Sequence, residues 1–244
     1  MLRKIDVILL SGGRGTRFRE ITHDKFPKPL YKVNDIELIK YSIRSLDLSL
    51  VNNLIFAVDH HADMVEKWVE TQKFPVKVVY SYQSDPGVFG AVSAALRYVE
   101  CEHFLVSNTD EIREGLTLED LLSRHVQNGS LATMALAPVD HLYRHRVIRL
   151  DENGVIIESD LRNPIYNKQP ALRLPVNTGY VIFASQAAAY FDGKNYASDW
   201  SAIVDPLIDK GLVSGVNYSE VAYFNVGTPV ELRDAINYYA MSRV

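Results

Sequence analysis

Glycine and arginine residues lie close together near the start of the chain, in the stretch SGGRGTR at residues 11–17. The apolar run at residues 7–10 just before them predicts a strand buried on both faces, which opens directly into a loop. Glycines let backbone N–H groups approach an anionic ligand without a Cβ in the way, while Arg17 and Lys28 can supply positive charge for a polyphosphate. The stretch therefore predicts a site for the phosphates of a nucleotide, although such a turn is also common as plain turn geometry.

A carboxylate follows a second predicted strand. Residues 104–107 form a buried apolar run, and the sequence NTDE at residues 108–111 comes directly after it. At a strand end beside a phosphate site, Asp110 could ligate Mg²⁺ through one oxygen while phosphates and water complete the octahedron. Asn and Asp also serve as ordinary turn and cap residues, but the position at a strand end favours the metal.

Two common phosphate-binding motifs do not fit the first loop. The Rossmann fingerprint requires a third glycine where Phe18 stands, and the P-loop requires a closing Gly-Lys-Ser/Thr that is missing from the loop. The phosphate site predicted above therefore belongs to a different kind of loop.

The longer pattern in this region, GGRGTR at residues 12–17 followed by PKPL at residues 27–30, resembles the signature of the sugar-1-phosphate nucleotidyltransferases. The resemblance implies an α/β fold with a three-layer, Rossmann-like, mixed and mostly parallel sheet of the nucleotide-diphospho-sugar transferase type. It also implies a single domain, with a nucleotide-binding half at about residues 1–112 and a sugar-phosphate-binding half at about residues 113–244.

The resemblance assigns roles to residues along most of the chain. Arg17 would grip the β- and γ-phosphates, Lys28 would bridge toward the α-phosphate, and the backbone of residues 12–16 would cradle the triphosphate. The remaining implied residues fall into three groups by ligand. They are Ser11, Gly12, Gly13, Gly15, Thr16, Gln83, Gly87 and Asn108 for the nucleotide; Arg162, Asn177 and Gly179 for the sugar; and Asp110 and Asn225 for Mg²⁺.

Some of these positions have an ordinary structural explanation as well. Gln83 and Gly87, the candidates for base recognition, lie in a stretch that also fits a strand-to-helix turn, and Val88 stands where a threonine is usual. Asn177 could bond a substrate hydroxyl or simply satisfy nearby backbone, while Gly179 would allow close approach of the sugar ring.

The sequence departs from the family pattern at two places, one in the predicted metal site and one in the predicted sugar-phosphate site. Asn225 stands where the family has an aspartate, so the metal site would lose one negative charge. RNP at residues 162–164 replaces the usual Glu-Lys-Pro, so the lysine for the sugar phosphate is missing. Arg162, Lys168 or Arg173 could replace it, and the spacing does not choose among them.

The implied reaction is in-line attack of a sugar 1-phosphate oxygen on the α-phosphorus of a nucleoside triphosphate, with pyrophosphate leaving. We expect GTP as the nucleotide. One alternative is a related nucleotidyltransferase that acts on a cyclitol, polyol or aminoalkyl phosphate. Another is a nucleotide-binding subunit that has lost catalysis, as Asn225 would suggest. A nicotinamide-dependent oxidoreductase is disfavoured by the missing third glycine.

Alternating strands and helices must position these residues. Such alternation implies right-handed βαβ crossovers and a parallel sheet, with ligands at the carboxyl ends of the strands. The predicted strands are 7–10, 53–58, 76–81, 104–107, 132–137, a hairpin of 145–150 and 154–159, one from 176, and 223–227. The predicted helices are 34–46 with Asn34 as its cap, 62–71, 89–98, 200–210 and 229–241, with Pro206 kinking or shortening the fourth.

Composition limits the partners. A chain of 244 residues with 47% hydrophobic residues can bury a large core, and a net charge of -4 with mixed signs argues against a nucleic-acid surface. The single Cys101 suits a reducing compartment. No apolar run fits a signal peptide or a membrane span, so we expect a cytoplasmic protein with no membrane partner. Tyr238 and Tyr239 would fit either a homo-oligomer interface or the edge of a core.

Overall fold

The computed structural model describes residues 4–83, 87–139, 145–160, 174–191 and 199–241. Thirteen strands and seven helices are found along these ranges. The strands are β1 (Ile5–Leu10), β2 (Lys32–Val33), β3 (Ile36–Glu37), β4 (Val51–Val58), β5 (Lys77–Tyr82), β6 (His103–Asn108), β7 (Glu111–Glu114), β8 (Ala132–Val139), β9 (Val147–Leu150), β10 (Ile156–Asp160), β11 (Leu174–Ala184), β12 (Val213–Asn217) and β13 (Ala222–Asn225). The helices are α1 (Arg19–Thr22), α2 (Leu38–Arg44), α3 (Ala62–Gln72), α4 (Gly87–Ala95), α5 (Leu118–Asn128), α6 (Ser201–Ile208) and α7 (Pro229–Met241).

A mixed central sheet organises the molecule. Within the described ranges it has nine strands, in the order β10-β9-β11-β6-β1-β4-β5, with β8 paired to β11 and β12 paired to β8. Strands β6, β1, β4 and β5 run parallel to one another, whereas β11 runs antiparallel to both β6 and β8. The parallel half therefore brings the ends of four strands to one edge, as the sequence predicts.

Helices cover both faces of this sheet, so the three layers implied by the sequence are confirmed. One face packs against α2, α3 and α5, and the other against α4 and α6. Consecutive residues of β1 enter opposite cores: Val7 and Leu9 face the first and Ile8 faces the second. A strand buried on both faces needs apolar residues at every position, which explains the unbroken run at 7–10.

The predicted helix start at Asn34 is wrong. Asn34 and Asp35 instead form the two-residue turn of the β2–β3 hairpin, with φ of 52° and 63°. Both central residues of a tight hairpin turn need positive φ, which Asn and Asp tolerate better than most residues. Helix α2 therefore begins only at Leu38.

Six elements are missing from the predictions above, namely α1, β2, β3, β7, α5 and β12. Helix α5 carries ordinary end signals, because Thr117 accepts a hydrogen bond from the Asp120 N–H and Gly129 ends the helix with φ of 66°. In α6, Pro206 lies inside a helix of eight residues, shorter than the predicted range of 200–210.

Two irregular features shape the edge where the site is expected. Strands β7 and β13 form a separate antiparallel pair in which Asn225 lies opposite Glu111. In β11, the register with β8 shifts between Asn177 and Val181. At the chain's far end, the Tyr239 hydroxyl donates a hydrogen bond to Glu114, so α7 packs on this small sheet.

No helix in the described part of the chain is long and apolar enough to cross a membrane.

Candidate active site

A cleft of about 630 Å³ opens at the carboxyl ends of the parallel strands. This volume is within the range usual for small-molecule sites. Loops after β1, β4, β5 and β6 line one side together with β13, and residues of β9, β11 and α6 line the other. Most of the residues singled out in the sequence share this lining. They are Gly12, Gly13, Gly15, Thr16, Arg17, Lys28, Gln83, Gly87, Asn108, Asp110, Asn177, Gly179 and Asn225.

The glycine loop packs directly on the neighbouring strand. A Cβ on Gly12 would lie 2.7 Å from the backbone nitrogen of Asp59, just past the end of β4. The loop is anchored at its other end by Phe18, which is buried edge-on against Tyr31. The backbone between these two points is exposed toward the cleft.

Two arginines of this loop are exposed at the cleft. Arg14 and Arg17 both line it, and neither has an ion pair or side-chain hydrogen bond with any residue the structure describes. Arg14 was not singled out in the sequence, where it only separates two glycines. An exposed guanidinium can form paired hydrogen bonds to phosphate oxygens.

Lys28 and Asp110 form the central ion pair of the cleft. The Lys28 ammonium donates to Asp110 Oδ2 at 2.5 Å, and Lys28 is buried with its ammonium 5.4 Å from the centre of the Phe18 ring. Burial acts to raise the pKa of the Asp110 carboxyl, but the nearby Lys28 and Arg113 charges outweigh it and hold that pKa below its usual value. Asp110 is therefore an anion near neutral pH.

A buried arginine, Arg113, organises the strands next to the Lys28–Asp110 ion pair. Arg113 on β7 donates to Glu111 Oε2 at 2.6 Å, to the Thr178 carbonyl at 2.6 Å and to the Gly179 carbonyl at 3.1 Å. Asn108 Nδ2 donates to the other oxygen of Glu111 at 2.8 Å. The network ties the end of β6 and the start of β7 to the middle of β11, and no local pattern in the sequence indicates it.

Burial raises the pKa of Glu111 to about 7, against the opposing effect of Arg113. Gly179 closes the same network. It has φ of 61°, and a Cβ there would lie 2.3 Å from Asn108 Nδ2 and 2.5 Å from Glu111 Oε2. A side chain at position 179 would therefore have to displace Asn108 and Glu111 from this network, and it would also adopt a positive φ that favours glycine.

Oxygen donors suited to a hard divalent cation lie at the edge of the cleft. Asp110 and Asn225 both line it, and the backbone N–H of Val226 donates to the Asp110 carbonyl at 3.3 Å. The β7–β13 pair holds these two segments side by side. One carboxylate and one amide oxygen, with room for phosphate and water, fit Mg²⁺.

On the opposite wall, Arg146 is a cation that the sequence analysis did not single out. Its Nη1 donates to both carboxylate oxygens of Asp205 on α6, at 2.9 Å and 2.7 Å. Its Nε is buried and lacks a hydrogen-bond partner among the described residues. The candidates Arg162, Lys168 and Arg173 lie outside the described residues.

Tyr223 on β13 lines the cleft next to His145, whose ring meets it edge-on at 5.9 Å. Its hydroxyl is buried with no partner in the described part of the chain, and burial raises its pKa well above the usual value. A buried neutral hydroxyl of this kind is satisfied when a ligand or water accepts from it.

Three predicted residues are engaged in ways the sequence does not show. Ser11 is buried under the loop, 3.4 Å from the Thr109 hydroxyl, and does not line the cleft. Gln83 donates to Asp59 at 3.2 Å. Asn177, which lines the cleft, accepts at Oδ1 from the Gly179 N–H at 2.8 Å.

Comparison with known proteins gives a match over almost the whole chain. The family model described as nucleotidyl transferase matches residues 6–241. A mannose-1-phosphate guanylyltransferase catalytic subunit beta from Drosophila melanogaster is 29% identical over 181 residues, 72% of this chain and 47% of that protein. A UTP–glucose-1-phosphate uridylyltransferase from Synechocystis is 24% identical over 219 residues, 84% of this chain and 55% of that protein. The chain thus spans about half the length of the curated relatives it matches.

Solved structures share the fold. A UTP-bound UGPase from Acinetobacter baumannii superposes with a TM-score of 0.78 at 17% identity, covering 98% of this chain and 94% of that one. An inositol-1-phosphate CTP transferase from T. maritima gives a TM-score of 0.72 at 16% identity, covering 97% and 98%. At these identities the likeness supports the architecture and not the substrate.

Proposed function

The chain belongs to the nucleotidyl transferase family, and from this we propose that it joins a nucleoside triphosphate to a sugar 1-phosphate, forming an NDP-sugar and pyrophosphate. One observation carries the proposal. The glycine loop, the Lys28–Asp110 pair and Asn225 line a single cleft together with Asn177 on the opposite wall. Such a cleft can hold two anionic substrates at once.

In the proposed reaction a phosphate oxygen of the acceptor forms a bond to the α-phosphorus. The bond from that phosphorus to the bridging oxygen of the β-phosphate breaks, and pyrophosphate leaves with the electron pair. The nucleophile is already an anion, so no general base is required. The protein contributes by aligning two anions that repel each other and by neutralising the charge that develops on the leaving group.

The residues of the loop perform this neutralisation. Arg17 and Arg14 are exposed at the cleft with no partner among the described residues, so they are available to the β- and γ-phosphates. Lys28 sits deeper, where its ammonium can turn from Asp110 to an α-phosphate oxygen. Burial makes such a contact stronger than it would be in water.

Asp110 and Asn225 would hold Mg²⁺, which supplies charge neutralisation on the phosphates when bound. Asp110 is already ionised through the Lys28 charge, so no proton must leave before a cation binds. Asn225 contributes an amide oxygen without charge, so the site has a smaller negative charge than a pair of aspartates would give.

We assign Arg146 to bind the phosphate of the acceptor. We assign the Tyr223 hydroxyl to donate a hydrogen bond to an oxygen of the acceptor. Asp205 fixes the Arg146 guanidinium through Nη1, while its Nε remains buried without a described partner. Asn177 and Gly179 lie at the same wall. These contacts support a division into a nucleotide half at about residues 1–112 and an acceptor half at about residues 113–244.

GTP is the proposed nucleotide. Several of the curated relatives are named as mannose-1-phosphate guanylyltransferases. Gln83 and Gly87 both line the cleft after β5, on the nucleotide side, and would face the base.

The test is pyrophosphate release with Mg²⁺, each common nucleoside triphosphate in turn, and pooled sugar and cyclitol 1-phosphates. Release that requires one triphosphate together with a sugar 1-phosphate is the expected result. Pyrophosphate release only with a cyclitol phosphate would mean that the acceptor is a cyclitol phosphate and not a sugar 1-phosphate. Absence of release in every combination, with triphosphate still bound, would favour a subunit without catalysis.

Lys28→Ala provides the matched test of the site itself. We expect it to lower kcat by about 100-fold to 1,000-fold, the usual effect of removing one preorganised electrostatic group. Lys25→Ala, an exposed lysine of the same loop, is the control. Near-normal turnover in Lys28→Ala would contradict the assignment.

A further inference from the structure

Three side chains that can bind a metal ion meet outside the cleft, where the segment after α1 approaches the end of β4. His60 Nε2 lies 2.9 Å from Asp24 Oδ1, and His61 Nε2 lies 3.8 Å from the same oxygen. The donor atoms of all three residues lie within 4.8 Å of one another. Two imidazole nitrogens and one carboxylate oxygen therefore converge on one point.

An unusual backbone brings these groups together. Neighbouring residues in an extended segment point to opposite sides, but His61 has φ of 57° at the start of α3. The rings of His60 and His61 consequently lie on the same side, with centroids 4.0 Å apart. Asp24 also has a positive φ, 55°, which turns its carboxylate toward them.

The remaining contacts leave the shared point accessible. Arg19 Nη2 approaches the other carboxylate oxygen, Asp24 Oδ2, at 3.5 Å, and both side chains are about half exposed, so this ion pair is weak. His61 Nε2 lies 3.1 Å from the Asp24 backbone carbonyl. Both histidine side chains are partly exposed, so water can reach the point between them.

We propose that Asp24, His60 and His61 form a binding site for a divalent transition metal ion of the zinc type. Zinc is bound tetrahedrally by nitrogen and oxygen at about 2.0 to 2.2 Å, which separates neighbouring ligand atoms by roughly 3.3 Å. The observed 2.9 Å and 3.8 Å bracket that separation. Two imidazoles and one carboxylate leave a fourth position for water, and imidazole ligands select against Mg²⁺.

The site differs from the proposed Mg²⁺ site in place and in effect. None of its three residues lines the cleft. The ion would join the segment between Arg17 and Lys28 to the end of β4, next to Asp59, on which Gly12 packs. Binding would thus fix the position of the loop that carries both cations, and it would do so without contact with substrate.

The test is titration of the full-length chain with Zn²⁺, followed calorimetrically and by thermal unfolding. We expect one equivalent to bind at micromolar protein and to raise Tm. His60→Ala/His61→Ala should weaken binding by more than about 100-fold, since changes around a metal's ligands alone cost 10-fold to 100-fold. His23→Ala, an exposed neighbouring histidine, should leave binding unchanged.

Two further measurements decide between this site and the cleft. Asp110→Asn should still bind Zn²⁺. If Asp110→Asn lost Zn²⁺ binding while the double histidine variant kept it, the proposal would be overturned. Substitution by Co²⁺ in the unmodified protein should give the visible absorption of a tetrahedral site with nitrogen ligands, a readout independent of variant folding. An octahedral spectrum, or binding at millimolar Zn²⁺ alone, would also overturn it.

Discussion

Asn225 is the residue at which this chain departs most clearly in chemistry from the pattern it otherwise follows. It lies opposite Glu111 in the β7–β13 pair, beside the Asp110 backbone. A carboxylate at this position would lie near two others, Asp110 and Glu111, in a partly buried setting. The amide avoids that repulsion, and in the proposed metal site it would contribute no negative charge.

Asn225→Asp tests this balance. We expect it to lower the Mg²⁺ concentration for half-maximal rate, because the added charge favours a divalent cation. Without metal, the variant should unfold at a lower urea concentration than the unmodified protein, because like charges then lie together. The readouts are the Mg²⁺ dependence of the rate and urea unfolding in EDTA. An unchanged Mg²⁺ dependence would show that residue 225 is not a ligand.

Arg146 offers a residue-scale test of the acceptor side. Arg146→Met keeps the length of the side chain and removes the charge, so we expect KM for the acceptor to rise at least about 10-fold while KM for the triphosphate changes little. Arg149→Met on β9, three residues after Arg146, is the control, because Arg149 is exposed, pairs with Glu158 and lies outside the cleft. If the two changes had equal effects on the KM for the acceptor, Arg146 would not bind the acceptor.

At the scale of elements, the site depends on how β6, β7 and β11 are joined. Arg113 donates to the Glu111 carboxylate on β7 and to two backbone carbonyls of β11. It is therefore a buried cation with hydrogen-bond acceptors on both strands. Removing one partner of such a buried pair commonly costs about 3 to 5 kcal/mol. Gly179 lies at the bulge in β11, where a Cβ would meet Asn108 and Glu111 of this network.

Gly179→Ala should therefore destabilise the protein for two reasons, positive φ and a clash with Asn108 and Glu111. Gly129→Ala is the matched control, since Gly129 has φ of 66° and open space around its Cβ position. Positive φ alone costs about 1 to 2 kcal/mol for alanine. We expect Gly179→Ala to lose at least about 2 kcal/mol more than Gly129→Ala in urea unfolding, together with most activity. Equal losses would mean that the clash is relieved by local movement.

The same elements show what sequence can and cannot provide. The glycine loop and the strand end at Asp110 were predictable because each is a local pattern, an apolar run followed by turn residues. The helix start predicted at Asn34 is wrong because a helix cap and a hairpin turn favour the same residue types. Arg113 and Arg146 gave no signal because Thr178 and Gly179, which join Arg113 to β11, and Asp205, which pairs with Arg146, lie far away in sequence.

At the scale of the whole molecule, a buried histidine remote from the cleft links stability to pH. His125 on α5 lies between Thr133 Oγ1 at 2.7 Å and His103 Nδ1 at 3.1 Å. Burial, with a smaller effect of His103, lowers the pKa of His125 to about 4. The folded protein therefore keeps this ring neutral at pH values where an unfolded chain, with an ordinary histidine pKa of about 6.5, takes up a proton.

The sign of the effect follows from proton uptake. Between about pH 6.5 and pH 4 the unfolded state binds more protons at this position, so lowering the pH favours unfolding. From pH 7 to pH 5 we expect His125 to account for a loss of about 2 kcal/mol in the free energy of unfolding. The measurement is urea unfolding at both pH values for the unmodified protein and for His125→Gln, whose amide can still bond Thr133. The variant should lose about 2 kcal/mol less over this interval, because every other titrating group is common to both proteins. Equal pH dependence in the two proteins would show that His125 does not couple folding to protonation.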